Sequence, residues 1–206
     1  MKGVFVTFEG IEGCGKSTQV QLLVDYLTYR NIPHITTREP GGTPIAEAIR
    51  NLLLDPECKE MLPETELLLY CASRAQHTGE LILPALSAGK VVICDRYYDS
   101  TYAYQGAARA LSEPLIDTLT GFSTFQTIPD LTVLLDMNVE DGLSRIQERK
   151  LDRLEQENIE FHRKVREQFL SIAKKHAHRY LVLNGSDPRE FIHSQIQEAI
   201  NTLIGD

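Results

Sequence analysis

The segment GIEGCGKS, at residues 10–17, constrains what this chain can fold into more than any other part of the sequence. Its GxxxxGKS/T pattern is typical of a backbone loop that wraps around the phosphates of a nucleotide. The apolar run at residues 4–8 predicts a buried strand before the loop, and the apolar spacing at residues 18–30 predicts a helix after it. The pattern also arises by chance in unrelated proteins, but this strand and this helix are the context that such a loop requires.

The glycines, the lysine and the serine of the segment suit phosphate binding, whereas the carboxylate of Glu12 would be repelled by a triphosphate unless it points elsewhere. Gly10, Gly13 and Gly15 let the backbone approach a triphosphate closely, so that its N–H groups can donate to phosphate oxygens. Lys16 adds a positive charge for the β- and γ-phosphates, and Ser17 adds a hydroxyl that can ligate Mg²⁺. The predicted ATP contacts are Gly10, Ile11, Glu12, Gly13, Cys14, Gly15, Lys16, Ser17 and Thr18.

Length and charge narrow the class of protein. The chain has 206 residues, of which 42% are hydrophobic, and it contains no repeat and no linker-like stretch. We therefore predict a single globular domain over residues 1–206. A net charge of -8 argues against a nucleic-acid partner, because phosphodiester binding usually needs a basic face. An anionic ligand would then be held by local arginines.

The cysteines and the apolar segments bear on where the protein works. The chain has four cysteines, which are Cys14, Cys58, Cys71 and Cys94. They form no CxxC pair and have no histidine at ligand spacing, so we expect reduced thiols rather than zinc or disulfides. Met1 leads straight into the first strand, and no apolar stretch approaches the ~18 residues of a membrane span. We expect a cytoplasmic protein with no membrane partner.

Apolar runs and helical spacings alternate along the rest of the chain, which predicts a parallel sheet wrapped by helices. Further strands are predicted at residues 33–37, 91–94, 131–135 and 180–183. Helices are predicted at residues 45–54, at residues 64–88 with a break near 78–79, and at residues 189–204. The predicted fold class is α/β, a P-loop NTPase-type five-stranded parallel sheet with helices on both faces.

Charged residues follow the second and third strands, where ligands bind in open parallel sheets. The second strand leads into TREPGGT at residues 37–43, and the third leads into Asp95, Arg96 and Tyr97. Arg38 and Arg96, at separate strand ends, indicate a second phosphate that is held for transfer. The alternatives are a surface salt bridge for either arginine, and helix capping or pairing to Arg96 for Asp95.

Five segments form a combination that is far more specific than any one motif. They are FEGIEGCGKST at residues 8–18, TREPGGT at 37–43, CDRY at 94–97, STYAYQG at 100–106 and LDRLEQE at 151–157. Together they resemble the thymidylate kinases of the bacterial type. TREPGGT combined with DRY and AYQG distinguishes this family from adenylate and guanylate kinases, which resemble it only in fold.

The resemblance implies transfer of the γ-phosphoryl group of ATP to thymidine 5′-monophosphate (dTMP), giving dTDP and ADP for dTTP synthesis. It also implies Mg²⁺ with the ATP, a homodimer formed through helices, and a cis peptide bond at Glu39–Pro40. A kinase for another nucleotide or for a deoxynucleoside remains the alternative. A regulatory GTPase would need an Asn-Lys pair, which the chain lacks, and a transport ATPase would need Asp-Glu where the third strand ends in Asp-Arg.

The resemblance also assigns catalytic roles at the phosphates. Lys16 would hold the β- and γ-phosphates, Arg96 would lie between the donor and acceptor phosphates, and Arg38 would grip the acceptor phosphate. Asp95 would orient the magnesium shell or Arg96, which makes Ser17 and Asp95 the predicted metal-binding residues. Glu12, inside the loop, would reach the 3′-hydroxyl of the deoxyribose or a neighbouring water.

Recognition of the base is expected from one helix and the STYAYQG segment. Tyr70 and Arg74 are four residues apart, so both lie on one helical face. The resemblance implies that Tyr70, where relatives usually carry Phe, stacks on thymine, that Arg74 reaches a base carbonyl or the phosphate, and that Tyr104 excludes a 2′-hydroxyl. Without that context both tyrosines would be interpreted as half-buried core aromatics. The predicted substrate contacts are Glu12, Arg38, Tyr70, Arg74, Arg96, Tyr97, Ser100, Thr101, Tyr104 and Gln105.

Residues 145–157 are crowded with charge, and the resemblance implies a short lid that brings an arginine onto the transferring phosphate. Such an arginine is worth roughly 10³–10⁵ in rate. Gly13 stands where eukaryotic-type relatives carry an arginine. The resemblance implies that the lid supplies the positive charge that this arginine would provide. Arg153 is the first candidate and Arg149 the second, although the segment is one residue shorter than the family pattern and lacks its usual glycine. The alternative is a solvated helix face held by ion pairs.

Overall fold

The computed structural model describes residues 2–147 and 150–205. Its five strands are all parallel and lie in the order β2-β3-β1-β4-β5, which confirms the predicted fold class. The strands are β1 (Val4–Glu9), β2 (His34–Arg38), β3 (Val91–Asp95), β4 (Leu131–Asp136) and β5 (Tyr180–Asn184). Each begins within one residue of its predicted start and ends one residue beyond its predicted end.

The central strands β1 and β4 are buried at every position but the last of β4, because both faces of the sheet are covered. Successive residues of β1 point to opposite faces, so Val6 packs into the larger core cluster while Phe5 packs into a smaller one. Leu23 belongs to the first cluster and Ile82 to the second, so helical segments cover both faces of the sheet. The edge strands β2 and β5 alternate between exposed and half-buried positions instead.

Helices connect the strands, and two of the connections contain π-helical segments, Thr78–Ile82 and Tyr102–Ala108. The break expected near residues 78–79 is the first of these segments, which separates α3 from α4. The α-helices are α1 (Lys16–Tyr29), α2 (Pro44–Leu54), α3 (Pro63–His77), α4 (Leu83–Ser87), α5 (Tyr98–Thr101), α6 (Glu113–Ser123), α7 (Val139–Ser144), α8 (Ile159–Lys175) and α9 (Arg189–Ile204).

The register of the strands brings the predicted site residues to one edge of the sheet. Asp95 at the end of β3 pairs with Phe8 of β1 and with Arg38 of β2, so these strands end level with one another. The peptide bond at Glu39–Pro40, directly after β2, is cis, as the resemblance implied. The glycine-rich loop, residues 10–15, leaves β1 at the same edge and leads into α1.

Candidate active site

A cleft of about 460 Å³ lies at the carboxyl edge of the sheet. Most of the predicted site residues line it, and they come from four of the five motif segments and from the helix that carries Tyr70 and Arg74. These are Glu12, Gly13, Gly15, Lys16, Ser17, Thr18, Arg38, Tyr70, Arg74, Asp95, Arg96, Tyr97, Ser100, Thr101, Tyr104 and Gln105. Gly10, Ile11 and Cys14 are buried residues of the glycine-rich loop and do not line the cleft.

The glycine-rich loop has the backbone that its glycines predict. Gly13 has φ +72, and a Cβ there would lie 2.0 Å from the carbonyl oxygen of Gly142. Gly10 is equally restricted, since a Cβ would lie 2.5 Å from the carbonyl oxygen of Leu135. The Lys16 ammonium is buried and donates to the carbonyl oxygens of Gly10 and Ile11 at 3.0 and 2.9 Å. The loop therefore curls around the head of Lys16 at the floor of the cleft.

Ser17 and Asp95 present adjacent oxygen atoms to the cleft. The Ser17 hydroxyl donates to Asp95 Oδ2 at 3.5 Å, across from α1 to the end of β3. Asp95 Oδ1 is buried and has no hydrogen-bond partner among the residues that the structure describes. Within that same part of the chain, no cluster of three or more His, Cys, Asp or Glu side chains forms a metal site. The pair could supply at most two oxygen ligands to a metal ion, so phosphate or water oxygens would have to provide the others.

Arg96 lines the cleft from a left-handed backbone conformation, with φ 70. Its guanidinium donates to the Gly10 carbonyl at 2.9 Å, to Ser100 Oγ at 3.3 Å and to Glu12 Oε1 at 2.9 Å. It also lies over the Tyr104 ring, 5.2 Å from the centroid. Burial opposes the charge on Arg96, but Tyr104 and Glu12 beside it raise its pKa, so the guanidinium stays charged.

Glu12 is hydrogen-bonded through one carboxylate oxygen, Oε1, while its buried Oε2 has no hydrogen-bond partner among the described residues. Its Oε1 accepts from Arg96 and from the Tyr104 hydroxyl, and its Oε2 lies 3.4 Å from Nδ1 of His162, a residue that the sequence reasoning missed. Burial opposes ionisation of Glu12, yet Arg96, His162 and Lys16 hold its pKa well below its usual range. The carboxylate is therefore ionised, and its contact with a sugar hydroxyl stays a prediction.

Arg38 lines the cleft but pairs with a neighbouring helix. Its Nη2 donates to both carboxylate oxygens of Glu47 on α2 at 3.0 Å, and 53% of its side chain is exposed. This is the surface salt bridge that the sequence left open as an alternative for Arg38. The same alternative does not describe Arg96, whose side chain is only 18% exposed and is held on three sides.

Arg74 is buried with one part of its guanidinium unpaired. Its Nε donates to Glu39 Oε2 at 2.8 Å and its Nη2 to the Tyr97 carbonyl at 3.4 Å. Its Nη1 is buried and has no hydrogen-bond partner within the described parts of the chain. Tyr70, one turn earlier in α3, forms the adjoining wall, and burial raises the pKa of its hydroxyl. An aromatic ring thus stands beside an unsatisfied planar donor, an arrangement suited to a heterocyclic base with a carbonyl group.

The lid arginine predicted first, Arg153, does not line the cleft. Its side chain is buried, its Nη1 lies 2.6 Å from Glu66 Oε2, and its Nε donates to the Leu53 carbonyl at 2.9 Å. Spacing alone could not show which way this side chain turns, because its partner is 87 residues away. Arg145 instead lines the cleft and donates to the Gly13 carbonyl at 3.3 Å. Arg149, the second candidate, lies outside the described residues.

The described residues of the lid segment, 145–147 and 150–157, do not form the solvated helix that was the alternative. Residues 150–157 form turns rather than a helix. Asp152, Leu154 and Glu155 of this segment line the cleft, and the sequence reasoning assigned none of them to the site. Only their place in the LDRLEQE motif could have pointed to them.

Comparison with known proteins places the chain in a family. The family model described as thymidylate kinase matches residues 8–196. A thymidylate kinase of Carboxydothermus hydrogenoformans is 50% identical over 206 residues, covering 100% of both chains. One of Cutibacterium acnes is 47% identical over 204 residues, covering 99% of each.

The chain belongs to the thymidylate kinase family. The fold agrees, because a crystal structure of thymidylate kinase from Ehrlichia chaffeensis matches with a TM-score of 0.81 at 35% identity. That match covers 97% of this chain and 100% of the other. This thymidylate kinase family member has no helix, within residues 2–147 and 150–205, that is long and apolar enough to cross a membrane.

Two buried carboxylates in this family member were not predicted as site residues. Glu39 binds Arg74 and lies 3.1 Å from His77 Nδ1, so it anchors one wall of the cleft. Glu9 accepts from the Tyr97 backbone N–H at 2.8 Å and from the Ser100 hydroxyl at 2.6 Å. Burial, with Asp99 nearby, raises the pKa of Glu9 to about 7. Both residues lie inside recognised motifs, FEG and TREPGGT, which was the available signal.

Proposed function

We propose that this protein transfers the γ-phosphoryl group of ATP to the 5′-phosphate of dTMP, producing ADP and dTDP for dTTP synthesis. One observation carries the proposal: Lys16 in its glycine-rich loop, Arg96, and the Tyr70–Arg74 wall all line one cleft. Phosphoryl transfer needs placement and charge neutralisation more than covalent chemistry. A cleft with a triphosphate loop at one end and a base-sized wall at the other supplies that placement.

At the donor end, the loop N–H groups and Lys16 would hold the β- and γ-phosphates of ATP. Lys16 would exchange its two carbonyl partners for phosphate oxygens, which are stronger acceptors because they are charged. Arg96 would lie between the two phosphates, where its fixed guanidinium neutralises charge on the group in transit. Because Glu12 and the Gly10 carbonyl already orient Arg96, little reorganisation is needed.

The oxygen donors of Ser17 and Asp95 fit a magnesium ion. Hydroxyl and carboxylate oxygens are ligands that Mg²⁺ prefers, and Asp95 Oδ1 has no protein partner among the described residues. Ser17 and Asp95 would hold the ion. When bound with ATP, Mg²⁺ neutralises phosphate charge.

At the acceptor end, thymine would stack on Tyr70, with the unpaired Nη1 of Arg74 donating to a base carbonyl. Ser100, Thr101, Tyr97 and Gln105 would complete the wall around the pyrimidine edge. Arg38 would bind the acceptor phosphate, whose oxygens would replace Glu47 as the partner of its guanidinium. Glu12 would meet the sugar at its 3′-hydroxyl, and Tyr104 beneath it would exclude a 2′-hydroxyl.

The lid would close over the phosphates with Arg145 as its arginine. Arg145 already contacts the glycine-rich loop and lines the cleft, whereas Arg153 pairs with Glu66 and does not line it. This proposal reassigns the role that the sequence gave first to Arg153. A closed lid excludes water, which a kinase needs in order to avoid hydrolysing ATP.

A homodimer is also proposed, formed through α2, α3 and α6. Helix α3 packs against both α2 and α6, and the three helices expose large apolar side chains, among them Leu52, Leu68 and Phe122. Phe122 is 80% exposed, and such patches usually mark an interface. We further propose a single domain and a cytoplasmic location, in keeping with the four free cysteines. Light scattering of Phe122→Glu beside the unchanged protein tests the dimer, since a monomer is expected only for the variant.

A coupled assay of ADP formation tests the function. Purified protein with ATP and Mg²⁺ is offered thymidine, dTMP, uridine monophosphate or cytidine monophosphate. We expect rapid ADP formation with dTMP and a loss of it in Lys16→Met, the matched inactive variant. A higher rate with another acceptor would establish the second candidate, a kinase for a different nucleotide or nucleoside.

A further inference from the structure

Glu66, in the first turn of α3, is fully buried and bonded on both carboxylate oxygens. Its Oε1 accepts from Gln105 Nε2 at 2.8 Å and from Arg109 Nε at 3.3 Å. Its Oε2 accepts from Arg109 Nη2 at 3.2 Å and lies 2.6 Å from Arg153 Nη1. None of the roles proposed above uses this residue.

Three separate segments meet at this carboxylate. Gln105 belongs to the π-helical segment Tyr102–Ala108, which lines the acceptor end of the cleft, and Arg109 follows it directly. Arg153 belongs to the lid, and Glu157 of the lid lies 2.6 Å from Arg109 Nη1. Two glutamates and two arginines therefore form one ion-pair chain, Glu157–Arg109–Glu66–Arg153, with Glu66 as its buried link.

The chemistry of a carboxylate fixes the orientation of Gln105. An ionised carboxylate can only accept hydrogen bonds, so the amide of Gln105 must turn its NH₂ group toward Glu66. Burial opposes ionisation of Glu66, but Arg109 and Gln105 hold its pKa below the usual range, so it stays ionised. The carbonyl oxygen of Gln105 is then the amide atom left to accept from a ligand in the cleft.

The Glu66 carboxylate also holds one residue of the lid, Arg153, in place. Arg153 is anchored by Glu66 and by the Leu53 carbonyl, and its own backbone N–H donates to the Leu54 carbonyl at 3.2 Å. Its sequence neighbours Asp152 and Leu154 line the cleft. The ion pair between Arg153 and Glu66 therefore helps to hold Asp152 and Leu154 at the cleft.

We propose that Glu66 is a positioning residue that couples the acceptor site to the lid, because it orients Gln105 and anchors Arg153 at the same time. This inference rests on the proposed function, in which the lid covers ATP and Gln105 faces the base. Occupation of the acceptor site should then favour the anchored lid and so tighten ATP binding, and by linkage ATP should tighten dTMP binding by the same factor.

Two variants and two measurements test the coupling. Glu66→Gln removes the charge that both arginines need, and Arg153→Leu detaches only the lid while the bonds from Glu66 to Gln105 and Arg109 remain. The dissociation constant of a non-hydrolysable ATP analogue is measured with and without saturating dTMP, and amide exchange is followed in residues 150–157. In the unchanged protein we expect a ratio of about 5–150 between the two constants, which is typical of coupled sites.

In both variants we expect that ratio to fall toward one and exchange in residues 150–157 to rise by at least about tenfold. Glu140→Gln is the control, because it removes an exposed ion pair with Arg163 on α8 and should change neither value. If Glu66→Gln does not fold, Arg153→Leu decides alone. A ratio of one in the unchanged protein, or an unaltered ratio in a folded variant, overturns the proposal.

These binding measurements are independent of turnover, so the two proposals can fail separately. If the unchanged protein phosphorylates dTMP but the variants keep its coupling, only the role of Glu66 is refuted. If the unchanged protein binds no dTMP, the proposed function fails first and the role of Glu66 fails with it.

Discussion

Alanine substitutions of Arg145 and Arg153 should separate catalysis from stability. Arg153→Ala leaves Glu66 buried without one of its charged partners and frees the Leu53 carbonyl. Breaking a buried ion pair in this way costs about 3–5 kcal/mol, which for a chain of this size lowers Tm by about 6–20 °C. Arg145 is exposed and makes one hydrogen bond to a neutral carbonyl, so Arg145→Ala should change stability by no more than about 0.5 kcal/mol.

Arg153→Ala should cause the larger loss of stability, but Arg145→Ala should cause the larger loss of turnover. If Arg145 reaches the transferring phosphate, Arg145→Ala should lower kcat by about 10³ or more, because an arginine in that role is worth that much. Arg153→Ala should lower kcat by far less at a temperature where it is folded. Calorimetry gives Tm, and a coupled ADP assay with both substrates saturating gives kcat. A normal Tm with a collapsed kcat in Arg153→Ala, beside a normal kcat in Arg145→Ala, would refute the reassignment.

Three further perturbations follow from single residues. Because burial raises the pKa of Glu9 from 4.5 to about 7, folded Glu9 binds more protons than unfolded Glu9 between these values. The unchanged protein should therefore lose Tm relative to Glu9→Gln as pH rises from about 5 to 7; parallel Tm curves would contradict this. Gly13→Ala should abolish ATP binding in calorimetric titration, since its Cβ would lie 2.0 Å from a carbonyl oxygen; normal affinity would refute the tight loop. Arg38→Ala should raise KM for dTMP at least about tenfold while KM for ATP stays unchanged, and equal shifts in both would remove Arg38 from the acceptor site.

The sheet and the cleft were predictable because their signals are local. Strands such as Val91–Asp95 are short apolar runs, and buried parallel strands leave that pattern regardless of what covers them. The motifs at the strand ends then converge because parallel strands share one carboxyl edge, so Ser17, Asp95 and Arg96 could be expected together. Tyr70 and Arg74 were placed correctly on one face by helical spacing alone.

The partners of the arginines were not predictable, because they lie on other elements of the fold at no fixed spacing in the sequence. Arg153 finds Glu66 across 87 residues, and Arg38 finds Glu47 on the next helix, in competition with any phosphate they could bind. The spacing of residues in the sequence does not predict which acceptor each arginine binds, because that choice depends on burial and on the path of the lid backbone. The buried state of Glu9 was likewise hidden, because a strand-end glutamate in a sequence looks the same whether exposed or enclosed.

On this mechanism, two nucleotides meet over one cleft with Arg96 between their phosphates. A crystal structure with adenosine and thymidine joined through five phosphates tests it most directly, because one molecule then represents both substrates. We expect the phosphate chain to run along the glycine-rich loop within hydrogen-bond distance of Lys16 and Arg96, with thymine against Tyr70 and Arg74. Thymidine bound outside this cleft, or phosphates that contact neither Lys16 nor Arg96, would contradict the account.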